Sequence, residues 1–268
     1  MKYALFTCLL LTCCVLPAKT AMLDAENRML EAYGDLQYAK AKSIASQYKE
    51  PQFRLIQAMC DVFDRRTQNL RRGVPELEKL ANSSELPERY RPTAKLAYAR
   101  AMHTLAWRKN VYPKAKTVDP VPLYEEVMRI APERIESISA VIYRSQYFLE
   151  NGNADKAISS AEDFISAYKG YEKRLLVPIH LMLKDMYIRN GARYKNAVVH
   201  AEIARKLVPA TRKTVYLLHF QIARMYDVYL KDYAKAEQEY ISYLEKYPNT
   251  SEATLAARFL KELKAGQR

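Results

Sequence analysis

Four histidines, at positions 103, 180, 200 and 219, are the residues of this 268-residue chain best suited to acid–base or metal chemistry. None stands in a pattern that either chemistry uses. There is no His-Glu-x-x-His, no Cys-x-x-Cys, no Asp-rich calcium loop, no Gly-x-Ser-x-Gly turn and no phosphate loop. His180 and His219 are 39 residues apart, and a repeated position is more simply a packing position than a catalytic one. Acid pairs such as Glu125-Glu126 and Glu162-Asp163 are adjacent on helices and point in different directions. Cys60 lies in an apolar helical stripe with Leu55, Met59, Val62 and Phe63, the setting of a small buried hydrophobe. Catalytic residues, metal ligands and cofactors are therefore not expected, and the chain reads as a non-enzyme. Asn82-Ser83-Ser84 and Asn249-Thr250-Ser251 have the form of glycosylation sequons, which matter only in a eukaryotic host.

The elements that would position these residues are helices. Only six glycines occur, too few for turn-rich β architectures or glycine-dependent phosphate loops. Hydrophobic residues make up 49% and charged residues 27%, which excludes wholesale disorder. Tyr is the abundant aromatic, at 21. The tyrosines recur with a period near 39. One segment contains Tyr147, Gly152-Asn153-Ala154, Ala157, Ala161 and Phe164. The next contains Tyr187, Tyr194, Ala197, Ala201, Ala204 and Pro209. The third contains Tyr226, Tyr233, Ala236, Tyr240, Tyr243 and Pro248. Each segment reads as two helices. Gly or Asn ends the first, small Ala side chains let the second cross it closely, and Pro stops the second in the latter two segments.

This pattern resembles the tetratricopeptide repeat (TPR) family, most closely over Tyr226 to Pro248. The turn between the paired helices is one residue longer than the family pattern. The small residue of the first helix is met by Ala223, whereas the corresponding places hold Arg144 and Lys184. Weaker copies precede these three repeats: helical spacing predicts helices over 23–33, 36–48, 53–70, 75–81, 91–107 and 123–130, with an extended excursion through the prolines of 110–122. The expected architecture is all-α, a right-handed α-solenoid of about six TPR-like helix pairs rather than two separate domains. Residues 22–132 form the divergent part and 133–250 the better-matched part. Residues 251–268 supply a capping helix and tail, Ser251 capping its start and the helix docking against Tyr233–Tyr247. The C-terminal run from Tyr247 to Leu263 looks like the repeats of exported bacterial TPR proteins, including lipoproteins of outer-membrane assembly.

The resemblance implies a groove lined by first-helix residues that binds extended peptides or helices. Carried over by repeat position, its residues are Ser145 and Phe148, then Leu181, Asp185 and Ile188, then Phe220, Arg224 and Asp227. Protein or peptide partners are expected.

The N-terminus reads as a cleaved secretory signal over residues 1–21: Lys2, a charge-free run from Tyr3 to Leu16, then Ala18, Thr20 and Ala21. Fourteen apolar residues are too few to span a bilayer. Leu10-Leu11-Thr12-Cys13 resembles a lipobox, with Thr12 departing from it, so Cys13 is a candidate lipidation site. The expected location is the bacterial envelope, periplasmic or associated with the outer membrane. Membrane association is expected only through lipidation or a complex. The net charge is +13, and 61–116 holds thirteen cations against six acids. Among them, Arg65, Arg66, Arg71, Arg72, Arg89, Arg91 and Lys95 form a candidate basic patch for an anionic polymer or membrane surface. Nucleic acid is not expected, because no motif for it occurs.

Overall fold

The computed structural model describes residues 21–64, 69–106, 118–209 and 213–266. Residues 1–20, with Cys13, the cations Arg65 and Arg66, and residues 107–117 lie outside them. Every regular element among the described residues is helical: α1 (21–34), α2 (Tyr38–Ala45), α3 (Pro51–Phe63), α4 (Leu70–Ala81), α5 (Arg91–Ala106), α6 (Pro120–Ile130), α7 (Ile135–Glu150), α8 (Ala154–Ala167), α9 (Val177–Arg189), α10 (Tyr194–Leu207), α11 (Lys213–Arg224), α12 (Tyr233–Lys246) and α13 (Ser251–Lys264). A π-helical turn, Met225–Leu230, follows α11 directly. Taken in order, the described helices make six pairs and a closing helix.

The chain divides into two compact units between Ile130 and Ala131. The first unit has a core of Phe53, Leu55, Leu77, Leu80, Leu86 and Met102. Three predicted boundaries move there. The long helix over 53–70 ends at Phe63, because Asp64 turns extended (φ −70°, ψ 109°). Helix α4 then begins at Leu70, with Pro75 inside it. Proline removes one helical hydrogen bond, but Val74, Leu77 and Ala81 are buried on the same stripe and packing holds the helix together. Pro120 and Pro122 belong to the first turn of α6, not to an extended excursion. The missing N–H groups are unpaired at a helix start in any case, and Asp119 Oδ1 accepts the Val121 N–H at 3.0 Å.

In the second unit the paired alanines are buried as expected: Ala157, Ala197 and Ala236 are each 0% exposed. Helix α7 alone is one residue out of the predicted register, which set Tyr147 with Tyr187 and Tyr226. Ser145, Lys184 and Ala223 share the close-crossing position, and Phe148, Tyr187 and Tyr226 share the aromatic one, at an even spacing of 39. Ser145 is fully buried and donates to the Ala157 carbonyl at 3.3 Å. Arg144 is therefore not at the crossing and donates instead to the Ser160 carbonyl at 3.1 Å. Lys184 does occupy that position, 8% exposed, its ammonium held by Gln221 Oε1 at 2.9 Å and Asp185 at 3.0 Å. From aromatic to alanine the count is nine in the first repeat and ten in the other two. The second repeat takes up the extra residue in its turn, with Gly191 and Ala192 at positive φ. The third takes it up in the π-helical turn.

Helix α13 packs on α12, and Phe259, Leu260 and Leu263 meet the cluster of Ala236, Tyr240 and Tyr243. Thr250, not Ser251, precedes its first turn. The Thr250 hydroxyl is engaged by Tyr243 Oη at 2.7 Å and donates to the Tyr247 carbonyl, while Ser251 bonds Glu252.

Candidate functional site

Four apolar residues recur at intervals of 39 on the first helices of the second unit and on α13: Ile142, Leu181, Phe220 and Phe259. Each is half-buried, so each packs through one side and offers the other. In the three repeats each follows a buried position, 141, 180 or 219, by one residue, about 100° further round the helix. Phe220 and Phe259 stack with centroids 6.3 Å apart at 21°. Leu149 and Ile188, also half-buried, extend the row in the first two repeats, with Gln146 and Asp185 exposed beside them.

The residues expected to line a groove divide into two groups. Leu181, Asp185 and Ile188 stand on this face, with Asp185 paired to Lys184. Phe220 does too, wedged among Tyr240, Tyr243 and Phe259. Arg224 lies with its guanidinium 4.1 Å over the Phe259 ring and 3.4 Å from Asp227 Oδ2, so it secures α13 as well as facing outward. Ser145, Phe148 and Asp227 are interior and line no groove. Ser145 and Phe148 point at α8, the consequence of the one-residue register shift, and Lys156 covers the Phe148 ring at 4.6 Å. Asp227 is turned inward by the π-helical turn and accepts from Tyr240 Oη at 2.9 Å. Ile142, Leu149 and Phe259 were missed by the sequence reading; a strict spacing of 39 from Leu181 and Ile188 finds all three.

Three of the seven cations of the basic patch pair with carboxylates of the same unit. Arg72 pairs with the buried carboxylate of Asp61 at 3.2 Å, Arg89 with Glu26, and Lys95 with Glu126 at 2.9 Å. Arg91 donates to the Leu86 and Ser84 carbonyls, both at 3.2 Å. Arg71 is exposed.

The histidines are packing residues with specific partners. His103 Nδ1 meets Tyr124 Oη at 3.0 Å. His180 Nδ1 lies 2.9 Å from His200 Nδ1, so one ring donates and the other accepts. His200 Nε2 is 3.7 Å from Glu162, and Tyr187 stacks on His200 at 5.6 Å. Burial, then the His200 ring, lowers the His180 pKa to about 4. His219 Nε2 instead meets Glu239 at 2.8 Å, beside Arg205 at 2.7 Å. Burial opposes the Glu239 charge, but the hydrogen bonds from His219 and Arg205 win and hold its pKa near about 2. Two tyrosines bridge successive repeats: Tyr187 donates to Glu162 and Tyr226 to Glu202 at 3.1 Å. Burial, then the acceptor carboxylate, raises both to about 12 and keeps them donors. Cys60 is buried, and burial pushes its thiol up to about 12, so it carries no thiolate chemistry. Among the described residues no group of three or more His, Cys, Asp or Glu could hold a metal, and no helix is long and apolar enough to cross a membrane.

No family model matches the sequence, and no curated protein matches it. The fold has a likeness among solved structures. The crystal structure of the apo form of RapI superposes with a TM-score of 0.59 at 14% identity, covering 91% of this chain and 71% of RapI. The likeness is one of fold: this chain is an all-helical repeat protein.

Proposed function

We propose that the chain is a non-enzymatic scaffold whose first-helix face in the second unit holds a protein or peptide partner. The observation that carries this reading is the row Ile142, Leu181, Phe220 and Phe259, four half-exposed apolar side chains at an even repeat spacing. Apolar anchors in a row, with Gln146 and Asp185 beside them, suit a partner segment with apolar side chains at regular intervals and polar groups between. The TPR resemblance supports the same face. The residue pattern of 1–21 supports export to the bacterial envelope, with Cys13 as a lipid attachment point in the alternative form of the leader. An anionic polymer at residues 61–116 is disfavoured, because Arg72, Arg89, Arg91 and Lys95 already have internal partners.

The test is site-specific photocrosslinking in the native host from Leu181 and Ile188, with Glu237, on the second helix of the third repeat, as control. One discrete protein should crosslink from the first two positions only, and Leu181→Asp should abolish it while helical content stays unchanged. Crosslinking that is equal from the control, or indifferent to Leu181→Asp, overturns the reading. For export, the mature protein should begin near Lys19 or Met22, or at a lipidated Cys13; an intact Met1 in the native host overturns it.

A further inference from the structure

The connection from α4 to α5, residues 82–90, is nine residues long, against five after α2 (46–50) and four after α12 (247–250). The connection after α8, 168–176, is as long but turns outward, with Tyr171 at its middle fully exposed. Residues 82–90 instead reach back to two earlier first helices, α1 and α3. Leu86 is 0% exposed and belongs to the core of the first unit. Pro87 is extended (φ −52°, ψ 139°) and leads into a single 3₁₀ turn, Glu88–Tyr90. Arg89 Nη2 and Tyr90 Oη both donate to Glu26 Oε1 on α1, 63 and 64 residues away. Glu85 meets Arg54 of α3 at 3.7 Å.

Glu26 stands fifteen residues before the buried Ala41 of α2, as Ile142 stands fifteen before Ala157. Leu181 and Phe220 stand sixteen before Ala197 and Ala236, in the repeats that carry one residue more. Glu26 is therefore the counterpart in α1 of the row Ile142, Leu181 and Phe220. In the second unit that row is half-exposed; in α1 its counterpart is 4% exposed and taken by the chain's own segment. From this we infer that 82–90 is an autoinhibitory strap. It closes the first unit's own partner face, and that face fits a segment of like chemistry: a Leu-Pro anchor followed by an arginine and a tyrosine. A buried carboxylate needs donors, so an occupant must bring to Glu26 what Arg89 and Tyr90 bring. Burial, then the bond to Glu26, raises the Tyr90 pKa and keeps its hydroxyl a donor. Both ends of the strap are accessible, the side chains of Glu85 and Arg89 being 70% and 59% exposed, so exchange for another segment can begin at either end. Tethered between two helices, the strap competes at an effective concentration in roughly the millimolar range. A free segment of equal intrinsic affinity is excluded until the strap lifts.

The probe is a fluorescent peptide with the sequence of residues 82–90, read by polarisation against the full chain; it does not involve the face of the second unit. The control is the same peptide with aspartate in place of its leucine. Leu86→Ser combined with Arg89→Ser loosens the strap and leaves Glu26 in place. The unaltered chain should bind little peptide at about 100 µM, well below the effective concentration of its own strap. The double variant should bind at least about tenfold more tightly. The control peptide should not bind, and Glu26→Gln added to the double variant should remove most of the gain. Because Leu86→Ser empties a core position, Arg89→Ser alone serves as the second variant, with circular dichroism as the check on folding; it should gain about threefold. Binding no tighter in either folded variant than in the unaltered chain overturns the inference, as does a gain that the control peptide shares or that survives Glu26→Gln.

Discussion

The second and third repeats of the second unit place a buried histidine at the same point, and its partner on the following helix differs. In the second repeat His180 faces His200; 39 residues later His219 faces Glu239. The backbone framework is the same, yet the two junctions give way to acid in different windows. An imidazole whose pKa is lowered on folding leaves the unfolded chain to take up the proton first. The His180 contribution is therefore complete above pH 6.5 and is lost as pH falls from 6.5 towards about 4. Glu239, lowered from 4.5 to about 2, contributes fully above 4.5 and loses that contribution only between 4.5 and 2. Repetition thus conserves the position and lets the partner set the chemistry. The neighbours that modulate the second repeat are Glu162, which favours a charged His200, and Tyr187 stacked on that ring.

The largest effect is expected from removing what closes the third repeat. The second repeat is covered by the third, and the third by α13. Ending the chain after Thr250 uncovers Tyr240, Tyr243 and Phe220. It removes three half-buried apolar side chains, Phe259, Leu260 and Leu263, worth about 2–5 kcal/mol together at roughly half their full burial. The truncated chain should melt lower and associate. An unchanged melting temperature with a monomeric chain removes the capping role of α13. Next in size is Glu239→Ala, which strands His219 and Arg205 and should cost about 2–4 kcal/mol at pH 7. Denaturant unfolding reads this, and the acid loss between pH 4.5 and 2 should shrink with it.

His200→Gln sharpens the comparison from the other side. It removes the facing ring, so the loss of stability between pH 6.5 and 4, on the order of 1–3 kcal/mol, should diminish. Hydrogen exchange should show α9 and α10 of the unaltered chain loosening in that window while α11 and α12 hold. Equal loosening in both repeats contradicts the assignment. The smallest effects belong to the inter-repeat bonds: Tyr187→Phe and Tyr226→Phe should each cost about 1 kcal/mol. Similar values in the two repeats would show that these bonds, unlike the histidine contacts, are repeated in energy as well as in position.

Much of the fold was legible because it depends on short-range pattern. Ala157, Ala197 and Ala236 announced the close crossings, and the spacing of Leu255, Phe259, Leu260 and Leu263 announced the closing helix, although Leu255 is exposed in it. The face was half legible. Leu181, Asp185, Ile188 and Phe220 were found, whereas Ser145 and Phe148 were assigned to it one residue out of register. Tyr147 next to Phe148 offers two aromatic candidates for one buried position, and the residue inserted after the aromatic in the later repeats shifts the count. Asp227 was misplaced for a related reason. A π-helical turn rotates everything after it, and no local residue type marks where it forms.

By itself the sequence determined the helical class, the 39-residue period, the near absence of glycine-built sites, and the small side chains that let paired helices cross. These follow from periodicity and side-chain size, which act between residues close in the chain. Only the tertiary structure decided which of Tyr147 and Phe148 is buried, how two repeats absorb their extra residue, and that the cations of 71–95 are largely spent on internal partners. It also decided that His180 meets a ring while His219 meets a carboxylate. The contacts of His180 with His200, His219 with Glu239 and Arg89 with Glu26 join residues 20 to 63 apart in the chain. Hydrogen bonding and charge pairing at such separations are settled by where packing brings side chains together, and composition and spacing carry no record of that.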